Sequence, residues 1–251
     1  MLLKQANWIV SKEDWKDVCP TFCKQFQVDG AIKSAVLLIT ALGVYEAELN
    51  GSRVGEFVLA PGWTDYNYSL QVQEYDVTEL VQEGENTLSV TVGEGWCCGP
   101  LAWDSRRYYE RQMSVCADVL ADGKLLVCTD ENWTARESYI RKSGIYDGET
   151  QDFTAERKSL TPVAVPFRKN TLIPQMCAPV RTVCRLPVKE VIRTPEGDLV
   201  YDFGQNIAGV AEIRTDADFS GTLTLRFAEI LVKGNFYTEN LRSAKATDSF
   251  T

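Results

Sequence analysis

Residues 43–96 read GVYEAELNGSRVGEFVLAPGWTDYNYSLQVQEYDVTELVQEGENTLSVTVGEGW. Tyr45, Ala47 and Leu49 alternate with Glu46, Glu48 and Asn50, the period-two pattern of a strand with one dry face. Asn50 and Gly51 follow, two residues that tolerate the positive φ of a type I′ hairpin turn. Leu88, Val90 and Val92 alternate with Thr87, Ser89 and Thr91 and predict a second half-buried strand. Between the two, 76–81 (DVTELV) predicts a short helical turn, with Thr78 as its N-cap and Gly84 as its stop. The stretch is an antiparallel β unit with aromatic-rich loops.

Upstream, residues 34–41 form a nearly continuous apolar run with branched side chains, as expected of a central strand covered on both faces. Phe22, Phe26 and Val28 mark an earlier strand behind an entry segment. Downstream, 93–109 (GEGWCCGPLAWDSRRYY) is too rich in Gly, Pro and aromatics for regular structure and predicts a long loop over one end of a sandwich. Met113, Val115, Ala117 and Val119 alternate, Asp122-Gly123 signals a hairpin, and Leu126 and Cys128 return. The segment IYDGET (145–150) closes this first unit.

Six of the nine prolines lie between Pro162 and Pro195, and proline is excluded from central strands, so this stretch reads as linker and strand edge. A boundary near 157–178 follows, dividing the chain into a β-sandwich over 1–160 and a second one over 175–251. Short strands are expected around 180–185, 188–193, 199–203, 210–215 and 222–227. The fold class is all-β.

With 251 residues the chain sits near the size at which one core gives way to two. A hydrophobic share of 45% beside 24% charged residues is that of an ordinary globular protein. The net charge of −9 excludes a nucleic-acid partner, whose phosphates require a basic footprint. No run approaches the ~18 apolar residues of a membrane span. The first ten residues lack the charged start and apolar core of a secretory signal, so a cytoplasmic location is expected. The eight cysteines show no disulfide framework and no zinc-ligand spacing; reduced, mostly buried thiols are expected. The absence of histidine removes the usual nitrogen ligand of metal sites and the base of Ser-His or Cys-His nucleophiles. Neither a metal nor a cofactor is expected.

Three constellations could carry function. Trp63, Tyr66, Tyr68, Trp96, Trp103, Tyr108 and Tyr109 lie in loops, with Asp65, Asp104, Arg106 and Arg107 among them. Aromatic faces take the C–H faces of sugars while charged neighbours orient hydroxyls. The same rings could instead close the open ends of a sandwich or pack on another domain. The candidate binding residues are Trp63, Asp65, Trp96, Trp103, Arg106 and Tyr108. DFGQN (202–206) lacks every companion of a kinase magnesium motif and reads as a bend stabilised by Gln205 and Asn206. Paired acids suited to glycoside hydrolysis could be Asp147 with Glu149 or Asp202 with Glu229, although 35 acidic residues make chance pairs common.

LNGSRVG followed by DVT, GEN and an alternating tail resembles the jelly-roll, galactose-binding-like domains attached to glycoside hydrolases. Taken in order, WIVSKEDWKDVCPTFCKQF, VLAPGWTDYN, TVGEGWCCGPLAW, CTDENWTARESYIRKSGIYDGE, DFGQNIAGV and FAEILVKGNFYTENLRSAKATD resemble bacterial α-L-rhamnosidases of glycoside hydrolase family 78 across nearly the whole chain. The resemblance implies two β-sandwiches ahead of a large (α/α)6 barrel whose acids hydrolyse terminal α-L-rhamnose with inversion. No barrel motif occurs within these 251 residues, so the resemblance assigns no catalytic residue here and implies an inactive N-terminal fragment with its second sandwich incomplete. Cys97 stands where the family leads one to expect another aromatic, which counts against a platform at Trp96. The partners implied are rhamnose-containing glycosides and the enzyme's own barrel, with self-association through the cut edge. An autonomous carbohydrate-binding module and a purely structural or assembly β-protein are the rival readings.

Overall fold

The computed structural model describes residues 2–13, 18–101, 107–109, 111–166, 171–216 and 218–251. Seven strands come first: β1 (Trp8–Ser11), β2 (Pro20–Val28), β3 (Ala35–Leu42), β4 (Val44–Leu49), β5 (Ser52–Arg53), β6 (Leu70–Asp76) and β7 (Gly84–Gly93). A single helical turn, α1 (Gly95–Cys98), leads to β8 (Ser114–Ala121), β9 (Lys124–Cys128), β10 (Thr134–Glu137), β11 (Ile140–Gly144) and β12 (Gly148–Gln151). Then come β13 (Ser159–Leu160), β14 (Pro162–Val165), β15 (Leu172–Pro174), β16 (Glu190–Arg193) and β17 (Leu199–Asp202). The chain closes with β18 (Leu223–Arg226), β19 (Ile230–Val232), β20 (Asn235–Tyr237) and β21 (Thr247–Phe250).

Two sheets make the main sandwich. One runs β14-β1-β8-β3-β6-β15, with β9 also on β8; the other runs β13-β10-β2-β7-β4-β5. The alternating apolar residues of 45–49 and 88–92 form the inner face of the second sheet. Tyr45, Ala47 and Leu49 of β4 stand opposite Val92, Val90 and Leu88 of β7, all buried, and Val90 continues the row to Phe22 of β2. β3 is central, flanked by β8 and β6, and Leu37, Ile39 and Ala41 are buried against Val119, Ala117 and Val115. Asn50 and Gly51 adopt φ of 54° and 77°, and Asp122 and Gly123 adopt 47° and 76°, as type I′ turns require. The fold is all-β.

The structure departs from the expected organisation in four places. The turn after β6 forms, but its side-chain cap is Asp76, whose Oδ1 accepts the Thr78 N–H at 3.0 Å. Thr78 Oγ1 instead accepts the N–H of Ala35 at 2.9 Å, tying the turn to β3. Of the stretch expected as linker and strand edge, Ser159–Leu160, Pro162–Val165 and Leu172–Pro174 are edge strands of the sandwich: β13 pairs with β10, β14 with β1, and β15 runs parallel to β6. Proline fits there because an edge strand needs ladder hydrogen bonds on one side only. β11 and β12, expected to close the first unit, belong to a mixed sheet of order β11-β12-β21-β18 that joins them to the end of the chain. Among the described residues, 180–185 and 210–215 form no strand. An ion pair from Arg185 to Glu212 at 2.5 Å connects the two segments through side chains instead.

Candidate functional site

The aromatic loops converge at one end of the main sandwich. Trp63 and Trp96 lie parallel, with ring centroids 6.1 Å apart and planes 6° from coplanar. Trp63 is 57% exposed, while Trp96 is half-buried and packs against the core, so the pair joins a surface ring to the sandwich. Behind it, Tyr66 is buried, donates its hydroxyl to the Gly62 carbonyl at 3.1 Å, and meets Tyr109 edge-on at 5.0 Å. Tyr109 also meets Tyr108 edge-on at 4.9 Å. Tyr108 faces solvent, 70% exposed. Two roles weighed for these rings are thus divided: Tyr66 closes the sandwich end, while Trp63 and Tyr108 remain on the surface.

Asp65 is exposed but engaged in its own loop. Its Oδ1 accepts the Asn67 N–H at 3.1 Å, and its carbonyl accepts the N–H groups of Tyr68 and Ser69. Trp103, Asp104 and Arg106 lie outside the described residues.

Beside Trp96 lies a polar cleft that residue-by-residue reading did not assemble. Its volume is about 220 Å³, and Glu94, Pro100, Arg107, Lys142, Tyr146, Asp147 and Ser243 line it. Glu94 caps α1 through its carbonyl, which accepts the Cys98 N–H at 3.0 Å. Glu94 is only 5% exposed, and its Oε1 accepts a hydrogen bond from Arg107 Nη2 at 2.5 Å. Arg107 also donates to the Cys98 carbonyl. Burial pushes the Glu94 carboxyl above its usual value, and Arg107 and then Lys142 pull the other way. On the opposite wall Lys142 of β11 pairs with Asp147 at 3.1 Å. The wall is fixed by the mixed sheet: the carbonyls of Tyr146 and Asp147 each accept a backbone N–H, from Ala246 and Thr247 respectively. Ser243 precedes β21, so the segment leading into the last strand also reaches this cleft.

The fold brings Asp147 to one cleft with Glu94, an acid outside the pairs named from sequence. Asp147 faces the cleft with Glu94, whereas Glu149 accepts a hydrogen bond from Gln151 and is held above the usual carboxyl range chiefly by burial. Asp202 Oδ1 accepts the Gly204 N–H at 2.6 Å, and Glu229 accepts from Asn240 at 3.3 Å. The DFGQN bend is therefore held by Asp202, while Gln205 and Asn206 are exposed. The eight cysteines are thiols; Cys19, Cys97, Cys98 and Cys116 are buried, and Cys177 and Cys184 are exposed. Burial drives the Cys98 thiol well above its usual range, which keeps it protonated and unreactive. Among the described residues no three Cys, Asp or Glu side chains gather as metal ligands would.

Two family models match this chain. Residues 30–184 match the family described as the alpha-L-rhamnosidase N-terminal domain, and residues 192–251 the bacterial alpha-L-rhamnosidase concanavalin-like domain. An α-L-rhamnosidase of Streptomyces avermitilis is 37% identical over 88% of this chain and 23% of that protein. One from Alteromonas sp. strain LOR is 32% identical over 98% of this chain and 30% of its own length. The crystal structure of the Aspergillus terreus α-L-rhamnosidase superposes with a TM-score of 0.93 at 36% identity, covering 99% of this chain and 31% of that one. The Streptomyces avermitilis enzyme, solved in complex with L-rhamnose, superposes with a TM-score of 0.85 at 33% identity, over 94% of this chain and 25% of that one. The chain thus spans between about a quarter and a third of the length of these relatives.

Proposed function

Because this chain belongs to the α-L-rhamnosidase family, we propose that its residues form the non-catalytic N-terminal β layers of such an enzyme, bracing an (α/α)6 catalytic barrel and helping to recognise rhamnosides. One observation carries the reading: nearly the whole chain superposes on less than a third of a rhamnosidase with a TM-score of 0.93. The remaining two thirds of such a relative is polypeptide these layers would support. The exposed edge of Trp63 and Trp96, with Tyr108 nearby, is the recognition surface, offering flat apolar faces to the C–H side of a sugar. Trp103 and Arg106 follow Trp96 in the sequence. The reading includes a cytoplasmic location, a compartment in which cysteines stay reduced.

An aryl α-L-rhamnoside assayed with the purified 251-residue polypeptide should release no rhamnose. Turnover above a buffer control would refute the non-catalytic assignment.

A second reading, self-association, is favoured by the apolar side chains exposed in the last third. Val183 and Val210 are 86% and 85% exposed, and Val180, Val191, Ile207 and Ile230 are each about half exposed. Patches of this kind mark surfaces that another polypeptide covers. In the parent enzyme the barrel side would cover this one; in the polypeptide alone a second copy would.

A further inference from the structure

We infer that the cleft lined by Glu94, Pro100 and Arg107 on one side and the β11–β12 hairpin on the other is a subsite for one neutral, monosaccharide-sized polyol, held by Glu94, Arg107, Lys142 and Asp147. The inference deepens the recognition reading above and rests on it for the choice of sugar; the cleft itself is separate from the Trp63 edge. Its volume of about 220 Å³ is below the roughly 300–1,000 Å³ of sites for drug-sized ligands, so it suits a single small ring.

The charges decide the class of ligand. Two carboxylates and two cations line the cleft and are already matched, Glu94 with Arg107 at 2.5 Å and Asp147 with Lys142 at 3.1 Å. An anion or a cation would have to separate either matched couple and leave a charge without its partner, a costly outcome where Glu94 is almost fully buried. A hydroxyl has no such requirement. It donates to a carboxylate oxygen and accepts from an ammonium or guanidinium N–H, so neighbouring hydroxyls on one ring can bridge both pairs intact. Pro100 and Tyr146 add apolar surface for the ring's C–H face, and Ser243 adds a further hydroxyl.

The backbone leaves room for this contact. Gly144 adjoins the buried carboxylate: a methyl there would stand 3.7 Å from Glu94 Oε2 and 3.6 Å from Asp147 Cβ. The Gly144 backbone carries no positive φ, so alanine can be accommodated without strain while occupying the space between the two acids.

Chemical-shift titration of the 15N-labelled 251-residue polypeptide tests the subsite, with L-rhamnose and methyl α-L-rhamnoside as probes and glycine and inorganic phosphate as charged comparators. Saturable shifts centred on residues 94–99 and 142–147 with the sugars alone are expected. Gly144→Ala and Lys142→Ala should each weaken sugar binding at least tenfold while their spectra stay as dispersed as that of the parent. The subsite is overturned if no sugar saturates, if glycine or phosphate shifts these amides in preference, or if Gly144→Ala binds sugar as the parent does. Binding that survives Gly144→Ala but disappears in Trp63→Ala would sink the cleft and leave the aromatic recognition surface standing. Absence of saturable binding by either sugar in every protein tested would sink both.

Discussion

At the scale of single residues, Asn50 does more than supply a turn. Its φ of 54° suits the hairpin, but its side chain also donates to the Leu80 carbonyl and to Asn86 Oδ1, and accepts the Thr87 N–H at 2.8 Å. Asn50→Gly keeps the backbone conformation and deletes these three bonds, so it should lower unfolding free energy by about 1–3 kcal/mol in denaturant titration. An unchanged midpoint would reduce Asn50 to a turn residue. Glu13 gives a pH signature. Its Oε2 accepts the Thr161 N–H at 2.8 Å and the Ser11 hydroxyl at 2.7 Å, and the Thr161 bond is the main reason its carboxyl falls to about 2 from 4.5. The charged form is the one bonded in the fold, so its stabilisation is complete above pH 4.5 and is lost as pH falls through about 2. The stability difference between the parent and Glu13→Gln should therefore narrow from about pH 6 to about pH 3 in urea titrations. Glu94 has the opposite sign: its raised carboxyl keeps a proton above pH 4.5 that the unfolded chain has released, so its contribution declines as pH rises through that window. The turn role of Asn50 was legible from Asn-Gly alone. Its bonds to Leu80 and Thr87 were not, since they join positions 30 and 37 residues away.

At the scale of elements, the telling contact is β12 on β21, a parallel pairing of Thr150 with Ser249 and Gln151 with Phe250. It closes at Gly148, whose φ is +93° and whose missing side chain admits the Thr247 carbonyl; a Cβ there would overlap that oxygen. Gly148→Ala should release β21 from the hairpin, raising hydrogen exchange at Thr247 and Glu149 while leaving β2, β7 and β4 protected. Uniform protection across both groups would show that the pairing tolerates a side chain. Sequence periodicity found β4, β7, β3 and β8 because each buries one or both faces in the main core and so carries a regular apolar pattern. It did not find β12 or β21, whose residues are only partly buried and whose pairing joins positions 99 residues apart. It also placed strands at 180–185 and 210–215, where branched apolar residues occur but no strand forms. Propensity describes a side chain's fit to a sheet, and a sheet must be present for it to act.

At the scale of the whole molecule, burial is uneven. Among the described residues the buried apolar core runs from Leu3 to Ala135, whereas many large apolar residues from Val180 onward lie on the surface. A protein covering such a face only by its own copies should associate reversibly. Sedimentation velocity across a wide range of concentration is expected to show a rising weight-average mass, reduced by polar substitution at Val183 and Val210. A single monomeric boundary at every concentration would mean that the exposed face is inert.

The amino-acid order determined the β class, the two type I′ turns and the family, because alternation, Asn-Gly or Asp-Gly pairs and ordered motifs are local or linear properties. Tertiary structure alone decided which strands the edge strands β13, β14 and β15 pair with, that the hairpin at 140–151 joins the end of the chain, and that Glu94 and Asp147 face one cleft. Those outcomes depend on which distant backbones find a free edge and on which charges are buried together, and neither is written in the spacing of residues along the chain.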